Sequence, residues 1–484
     1  MQSPMSSRQH RLANLAALLA LLPLALPALA QREPAKPSTT GAVPPKTWVD
    51  KDTGHRIFRV TDEPGSSGFY FNVNAYTPDL KTMIYSAPDG IHTYDLATRK
   101  TRLLVPNPPR PADDGSQQFR FGGVHAIIAG RVTNSVFYTM ADPTTHVTAI
   151  YKADVYTGAI TKLTDLPRGM GVATINADET LGAGTINDKQ DAVEYGARRV
   201  NPPGMSGPLV QPANKGEMME QRLAARTPLT LNTIDLKTGK LTVLFHSTDW
   251  IGHMLFSPKD PTLLMYCHEG PWQKVDRIWM IHTDGTHNTL IHKRRIAMEI
   301  AGHEFWGLDG ETIWYDWQPL KGQDFFLAGY DLSTGKRTAF HMERNEWSIH
   351  FNLTKDLDLF TGDGGDPGQV AKAPDGEWIE LFHPQMVRLT SDTLNDPDFF
   401  QPGVFHSEHL VNMAHHAYKL EPNVRFSPDK SMVFFTSNMF GPSYVFGVET
   451  AKAVNPDPAE VLSTPALGEQ FNPGKPPDTS NVPK

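Results

Sequence analysis

Ile234-Asp235-Leu236-Lys237-Thr238-Gly239-Lys240 and Tyr330-Asp331-Leu332-Ser333-Thr334-Gly335-Lys336 are one phrase written twice. In each, an apolar run ends at an Asp, the chain turns at Thr-Gly-Lys, and a second run begins. A shorter copy stands at Tyr94-Asp95-Leu96-Ala97-Thr98. A companion phrase, a tight turn ahead of an apolar strand, recurs as Ala75-Tyr76-Thr77-Pro78-Asp79, Phe256-Ser257-Pro258-Lys259-Asp260 and Phe426-Ser427-Pro428-Asp429. The runs between are rich in Thr, Ile, Val, Tyr and Phe, with Gly, Asp and Asn at the joints, which is strand-and-turn composition. Worked outward, the phrases divide the chain into seven units, about 74–105, 121–166, 171–245, 253–294, 302–340, 349–390 and 424–450. A period of about 40–50 residues with four short strands per unit predicts an all-β chain, a seven-bladed β-propeller. Ile57-Phe58-Arg59-Val60 precedes the first unit and is placed to pair into the last blade, removing an exposed edge. The third unit carries an insertion, 189–228, with a helix-like stretch from Lys215 to Ala225, expected to project as a rim or lid.

Composition agrees. Of 484 residues 39% are hydrophobic, enough for a core, and 38 Gly with 40 Pro demand many turns, which excludes a helical bundle. The net charge of −8 offers no global attraction for nucleic acid or anionic membranes, so an anionic ligand must meet a local basic site. The single cysteine, Cys267, excludes an intrachain disulfide. Residues 1–30 read as a signal peptide: Arg8, His10 and Arg11, then the apolar run Leu12 to Leu26, then the small-residue site Ala28-Leu29-Ala30. Residues 31–47 read as a linker, 48–452 as the propeller, and 453–484, rich in proline, as a disordered tail. No later stretch has transmembrane length, so a periplasmic or secreted protein is expected.

A propeller gathers loops from every blade at one mouth, and chemistry is sought there. Polar residues out of keeping with a strand core stand at matching places in successive units. They are Cys267-His268-Glu269-Gly270-Pro271-Trp272 and Asp276-Arg277, then Gly302-His303-Glu304-Phe305-Trp306, then Glu346-Trp347-Ser348-Ile349-His350, then His415, His416, Tyr418, Glu421 and Asn423. Histidines 303 and 350 open adjacent units at equivalent positions. No Gly-x-Ser-x-Gly elbow, phosphate loop, zinc-protease motif or paired-cysteine spacing is present.

These residues resemble oligogalacturonate lyase, polysaccharide lyase family 22, over roughly 48–450. The resemblance is carried by Cys267-His268-Glu269-Gly270-Pro271, Asp276-Arg277-Ile278-Trp279, His303-Glu304-Phe305-Trp306-Gly307-Leu308-Asp309-Gly310, Gly362-Asp363-Gly364 and the segment Phe426 to Ser437. It implies a catalytic base at His303, an assisting guanidinium at Arg277, and a divalent metal on His350, manganese in the family. The family's remaining ligands, a Gln and a His-Pro-His run, fall on Tyr418 and on Glu421-Pro422-Asn423. Glu421 and Asn423 are oxygen donors, which suit a hard cation, so Ca²⁺ and Mg²⁺ stand beside Mn²⁺.

The implied reaction is β-elimination on a uronate oligosaccharide. A base removes the proton at C5 and the oxygen at C4 departs. A cation on the carboxylate stabilises the charge that develops. Neutral imidazole, with an ordinary pKa of about 6.5, suits the base, and the guanidinium fork suits the carboxylate. His268, Glu269, Trp272, Glu304, Trp306, His416 and Tyr418 are the candidate substrate contacts, with Trp347 a further ring for stacking. The alternative is a non-catalytic TolB-like propeller that binds sugars or proteins. His303 and Arg277 favour the enzyme, since a scaffold needs neither.

Overall fold

The computed structural model describes residues 43–108, 123–187, 214–365, 371, 373, 377–389 and 398–471. The stretch expected to be a signal peptide, most of the expected linker, the first part of the insertion and the last residues of the chain lie outside them. Among the described residues strands dominate, laid out in six open sheets. His125–Ala129, Ser135–Ala141, Thr148–Asp154 and Ile160–Asp165 pair in chain order, each antiparallel to the one before. The same plan runs from Met170–Ile175 to Leu241–Ser247 and from Trp250–Phe256 to Thr289–Leu290. The largest sheet has eight strands in two antiparallel halves, Ile300–Trp306 to Arg337–His341 and Phe351–Leu353 to Phe400–Asn412. The halves join where Arg337–His341 runs parallel to Phe400–Asn412.

The repeated phrase is a hairpin held by its Asp. One oxygen of Asp235 accepts from the backbone of Lys237 and Thr238 and from the Thr238 hydroxyl. Asp331 holds Ser333 and Thr334 likewise. Gly239 and Gly335, at φ +71° and +70°, take the left-handed step that ends the turn.

Two boundaries move. The sixth unit does not end at 390: Phe400–Asn412, thirteen residues, is its outermost strand. Pro402, Gly403 and a run of His and Glu hide it in sequence, and it is held by strands on both flanks. The tail expected from 453 does not hold for 453–471. Val461–Leu462 pairs in parallel with Thr47–Asp50, and Thr464–Phe471 is helical. Buried Thr464 accepts from Trp48 Nε1 at 2.8 Å and donates to Asp50 at 2.8 Å. The N-terminal strand does pair into the last array, Ile57 opposite Val448 and Arg59 opposite Phe446.

Lys215–Ala225 is an α-helix. The Asn214 side chain accepts from Glu217 N at 3.0 Å, supplying the N-terminal cap. The helix reaches the array beside it through Arg222, whose guanidinium lies 3.8 Å from the Trp250 ring centre. Among the described residues no helix is long and apolar enough to cross a membrane.

Candidate active site

Two histidine–aspartate pairs share one design. His303 Nδ1 meets Asp316 Oδ2 at 3.1 Å, and His350 Nδ1 meets Asp363 Oδ2 at 2.6 Å, with the partners thirteen positions apart in each case. Each His lies in or at the head of its array's first strand, and each Asp lies in or just past the second. Antiparallel pairing therefore brings them opposite: Gly302 faces Asp316, and Phe351 faces Gly362. All four side chains are buried. A carboxylate on Nδ1 fixes the proton there and turns the Nε2 lone pair outward. His303 Nε2 has no hydrogen-bond partner among the described residues. The two imidazoles meet edge to face with ring centres 5.2 Å apart.

His303 reaches this position through a bulge. The register of Ile300–Trp306 shifts between Gly302 and Phe305, and His303 takes φ +45°. Such a bulge re-aims a side chain, and a left-handed non-glycine residue is a strained one. His253 repeats the device one array earlier, at φ +46° behind Gly252. Both glycines are needed for space. A Cβ on Gly302 would lie 2.0 Å from Trp272 Cζ3, and one on Gly252 would lie 2.9 Å from Glu269 Oε1.

His253 sits between two carboxylates, Glu304 at 3.1 Å from Nδ1 and Glu269 at 3.2 Å from Nε2. Burial pushes this imidazole down, but the Glu304 hydrogen bond and the charges of Glu304 and Glu269 outweigh it and raise its pKa. Burial likewise works to raise Glu304, yet His253 and the Arg277 charge hold it down to about 2. Glu269 also binds Arg277 at 3.1 Å. Two cations and two anions thus balance in a quartet in which Glu269, Arg277 and Glu304 are buried and His253 is partly exposed. The donor atoms of His253, Cys267 and Glu269 lie within 4.8 Å of one another, a grouping that invites a metal. With both nitrogens donating, however, His253 has no lone pair to offer. Burial pushes the Cys267 thiol up, which keeps it protonated.

His350 is the better ligand. Its Nε2 faces Glu421 Oε2 at 3.8 Å and the Tyr70 hydroxyl at 3.2 Å. Side chains about 2.1 Å from one cation, at angles of about 90–120°, stand about 3.0–3.7 Å apart. His350 and Glu421, at 3.8 Å, lie just beyond the upper end of that span. Asn423 is committed elsewhere: its Oδ1 accepts from Phe71 N at 3.0 Å and its Nδ2 donates to Glu421 O at 2.9 Å. A cavity beside them is lined by Ser67, Gly68, Lys419, Leu420, Glu421, Asn423 and Thr436.

The remaining expected contacts divide. Glu269, Trp272 and Glu304 gather with His303 and Arg277. The Arg277 guanidinium, expected to grip a substrate carboxylate, is buried on Glu269 and lies 3.9 Å from the Trp272 ring centre. Trp272 in turn packs 5.1 Å from His303, centre to centre. Trp306 is corrected to a core residue: it is buried, donates to Leu255 O at 3.0 Å, and packs among aliphatic side chains. Trp347 is buried in the same way. His416 has both ring nitrogens engaged, by Ser437 at 3.0 Å and Leu420 O at 2.7 Å, so it braces its loop. Tyr418 ties that loop to Asp363 O at 3.0 Å. His268 faces the other side of its strand, opposite to Cys267 and Glu269, 3.4 Å from Asp249.

Four site residues had no role assigned to them from sequence: Asp316, Asp363, which entered only within the Gly362-Asp363-Gly364 match, His253, which stood only as a reserve candidate for the base, and Tyr70. The thirteen-residue spacing from His to Asp, repeated in consecutive units, was a usable signal for the first two. The Gly-His pair at 252–253, matching 302–303, was one for the third. Tyr70 lies outside the repeats and carried none.

Known proteins similar to this chain share one description. The family model "Oligogalacturonate lyase" matches residues 215–454. Oligogalacturonate lyase of Dickeya dadantii is 24% identical over 412 residues, spanning 82% of this chain and 93% of that protein. Oligogalacturonide lyase of Pectobacterium atrosepticum is 26% identical over 226 residues, 43% of this chain and 52% of that one. Among solved structures, an oligogalacturonate lyase in complex with manganese aligns with TM-score 0.62 at 20% identity, over 84% of this chain and 96% of its own. An oligogalacturonate lyase from Vibrio parahaemolyticus aligns with the same score, identity and coverage. Over residues 215–454 the chain matches the oligogalacturonate lyase family model, and over most of its length it is similar to oligogalacturonate lyases.

Proposed function

We propose that the protein is a divalent-metal-dependent lyase that cleaves oligogalacturonates, or closely related uronate oligosaccharides, by β-elimination during pectin breakdown. The observation that carries the reading is the His303–Asp316 pair, which leaves Nε2 as an unpartnered base beside a second carboxylate-backed histidine. In this reading His303 Nε2 takes the C5 proton, while Asp316 holds the ring and stabilises the imidazolium that forms. A divalent cation on His350 and Glu421 would neutralise the uronate carboxylate and so acidify the C5 proton. Manganese is our first choice, with calcium or magnesium suited to the same oxygen-rich donors. Arg277, fixed on Glu269 and stacked on Trp272, holds positive charge beside the base and keeps the Trp272 ring in place for a sugar face.

We further read the fold as seven blades. Dividing the eight-stranded sheet at its parallel join, and counting the last array with its N-terminal strands as one blade, supports that number. We also place the mature protein outside the cytoplasm, on the strength of the apolar run to Leu26 and the Ala28-Leu29-Ala30 site. The test is a panel of uronate oligosaccharides, with and without chelator, monitored by the ultraviolet absorbance of the unsaturated product. Chelator-sensitive product from oligogalacturonate is expected. No product from any uronate, with manganese or calcium supplied, would overturn the reading.

A further inference from the structure

Tyr70 is built into the metal corner by more contacts than a packing residue needs. It lies on a non-repetitive strap, 67–73, that crosses from the N-terminal strands to the site. The buried Arg425 guanidinium donates to the carbonyls of Val73, Phe69 and Tyr70. Asn423 Oδ1 takes the Phe71 N–H at 3.0 Å, the Asn72 amide donates to Glu304 O at 3.1 Å, and Gly68 N donates to Thr436 Oγ1 at 3.0 Å. Arg425 has no carboxylate partner among the described residues, so a buried guanidinium is spent on backbone carbonyls of this strap. Burying a cation without a counter-ion is costly, and here it secures the placing of a few residues.

What the strap delivers is a phenol oxygen. Tyr70 Oη lies 3.2 Å from His350 Nε2, and its ring packs edge to face against both His350 and His253, with centres 5.1 Å and 5.8 Å apart. Asp363 occupies Nδ1 of His350, so Nε2 accepts the Tyr70 proton. The same lone pair is the one a metal would take. The Tyr70 and Glu421 oxygens stand 3.2 Å and 3.8 Å from that nitrogen, near the spacing of neighbouring ligands on one cation. Asn423, which sequence placed in the ligand set, instead spends its oxygen on the strap.

We propose that Tyr70 Oη is a ligand of the metal centre, completing with His350 Nε2 and Glu421 a donor set of one nitrogen and two oxygens. This rests on the metal-dependent reading above. When Nε2 binds the cation it can no longer accept the phenol hydrogen bond, and the proton leaves Tyr70 for solvent as the oxygen turns to the metal. Asn423 and Arg425 are positioning residues that hold the strap.

The test compares wild type, Tyr70→Phe and His350→Ala by calorimetric titration with Mn²⁺ and by the visible spectrum with Cu²⁺, which binds nitrogen and oxygen sites tightly. Phe keeps the ring and every backbone bond of the strap, so circular dichroism should be unchanged. Tyr70→Phe is expected to weaken Mn²⁺ by at least the about 10–100-fold seen when a ligand's own support is removed. It should also abolish a phenolate-to-copper charge-transfer band present in wild type. If Tyr70→Phe binds Mn²⁺ like wild type and the copper spectra coincide, while His350→Ala loses the metal, Tyr70 is not a ligand and the metal site stands without it. If wild type binds no divalent cation, the metal reading itself fails, and this inference with it.

Discussion

Gly302→Ala adds one methyl group at the tightest point of the site. The new Cβ would lie 2.0 Å from Trp272 Cζ3 and 2.8 Å from Cη2. Carbon atoms in ordinary contact stand about 3.5–4.0 Å apart, so the ring or the strand must move by about 1.5 Å. Trp272 cannot simply retreat, because the Arg277 guanidinium lies 3.9 Å from its ring centre and is pinned by Glu269. Overpacking of this kind costs about 1–3 kcal/mol of stability. The displacement also reaches His303, whose ring is 5.1 Å from that of Trp272 and whose backbone is the next residue. Moving a reacting group by about 1 Å costs about 10²-fold in rate. The expected outcome is a modest fall in melting temperature with about a hundredfold fall in kcat, read from ultraviolet absorbance of unsaturated product, and altered tryptophan fluorescence. Wild-type turnover and fluorescence in Gly302→Ala would refute the claim that Trp272 and His303 are locked together.

Asp316→Asn should lower kcat by about 10²-fold or more while leaving metal content intact, because the ring loses the partner that fixes its tautomer; equal activity would separate Asp316 from the chemistry. His253→Ala should cost about 3–5 kcal/mol in denaturant melts, since it leaves Glu269 and Glu304 facing each other with one cation gone. Glu304, with an ordinary value of 4.5 held down to about 2, contributes stability that is complete above pH 4.5 and lost as pH falls toward 2. That is about 3 kcal/mol at about 1.4 kcal/mol per unit. Glu304→Gln should flatten that part of the stability profile, and an unchanged acid limb would contradict the quartet. His268→Ala should leave turnover near wild type, since His268 points away toward Asp249.

The repeats were legible because each hairpin is closed locally, by an Asp on its own turn, so no distant contact is needed to read it. Phe400–Asn412 was not legible because its strand character comes from two neighbours and not from its own alternation. Within the site, His303 and His350 could be read from their matching places at the heads of units. Their aspartates could have been, from the repeated spacing, but an acidic residue near a strand's end looks like a turn former until pairing puts it beside a histidine. Trp306 misled because its motif position is shared with His303. The register shift between Gly302 and Phe305 breaks the simple alternation of the strand, so a shared motif does not mean a shared face, and Trp306 is left buried among aliphatic side chains. Tyr70 required the three-dimensional path of a strap with no repeat at all.

The most direct measurement is the rate of unsaturated-product formation from oligogalacturonate by wild type and by His303→Asn. Asn tolerates the left-handed backbone at φ +45° and can donate to Asp316, but it cannot act as a base. With His303 as the base, wild type gives manganese-supported product, and the variant loses about 10²–10⁴-fold in rate with fold and metal content retained. A variant that keeps most of the wild-type rate would contradict the assignment of His303 as the base.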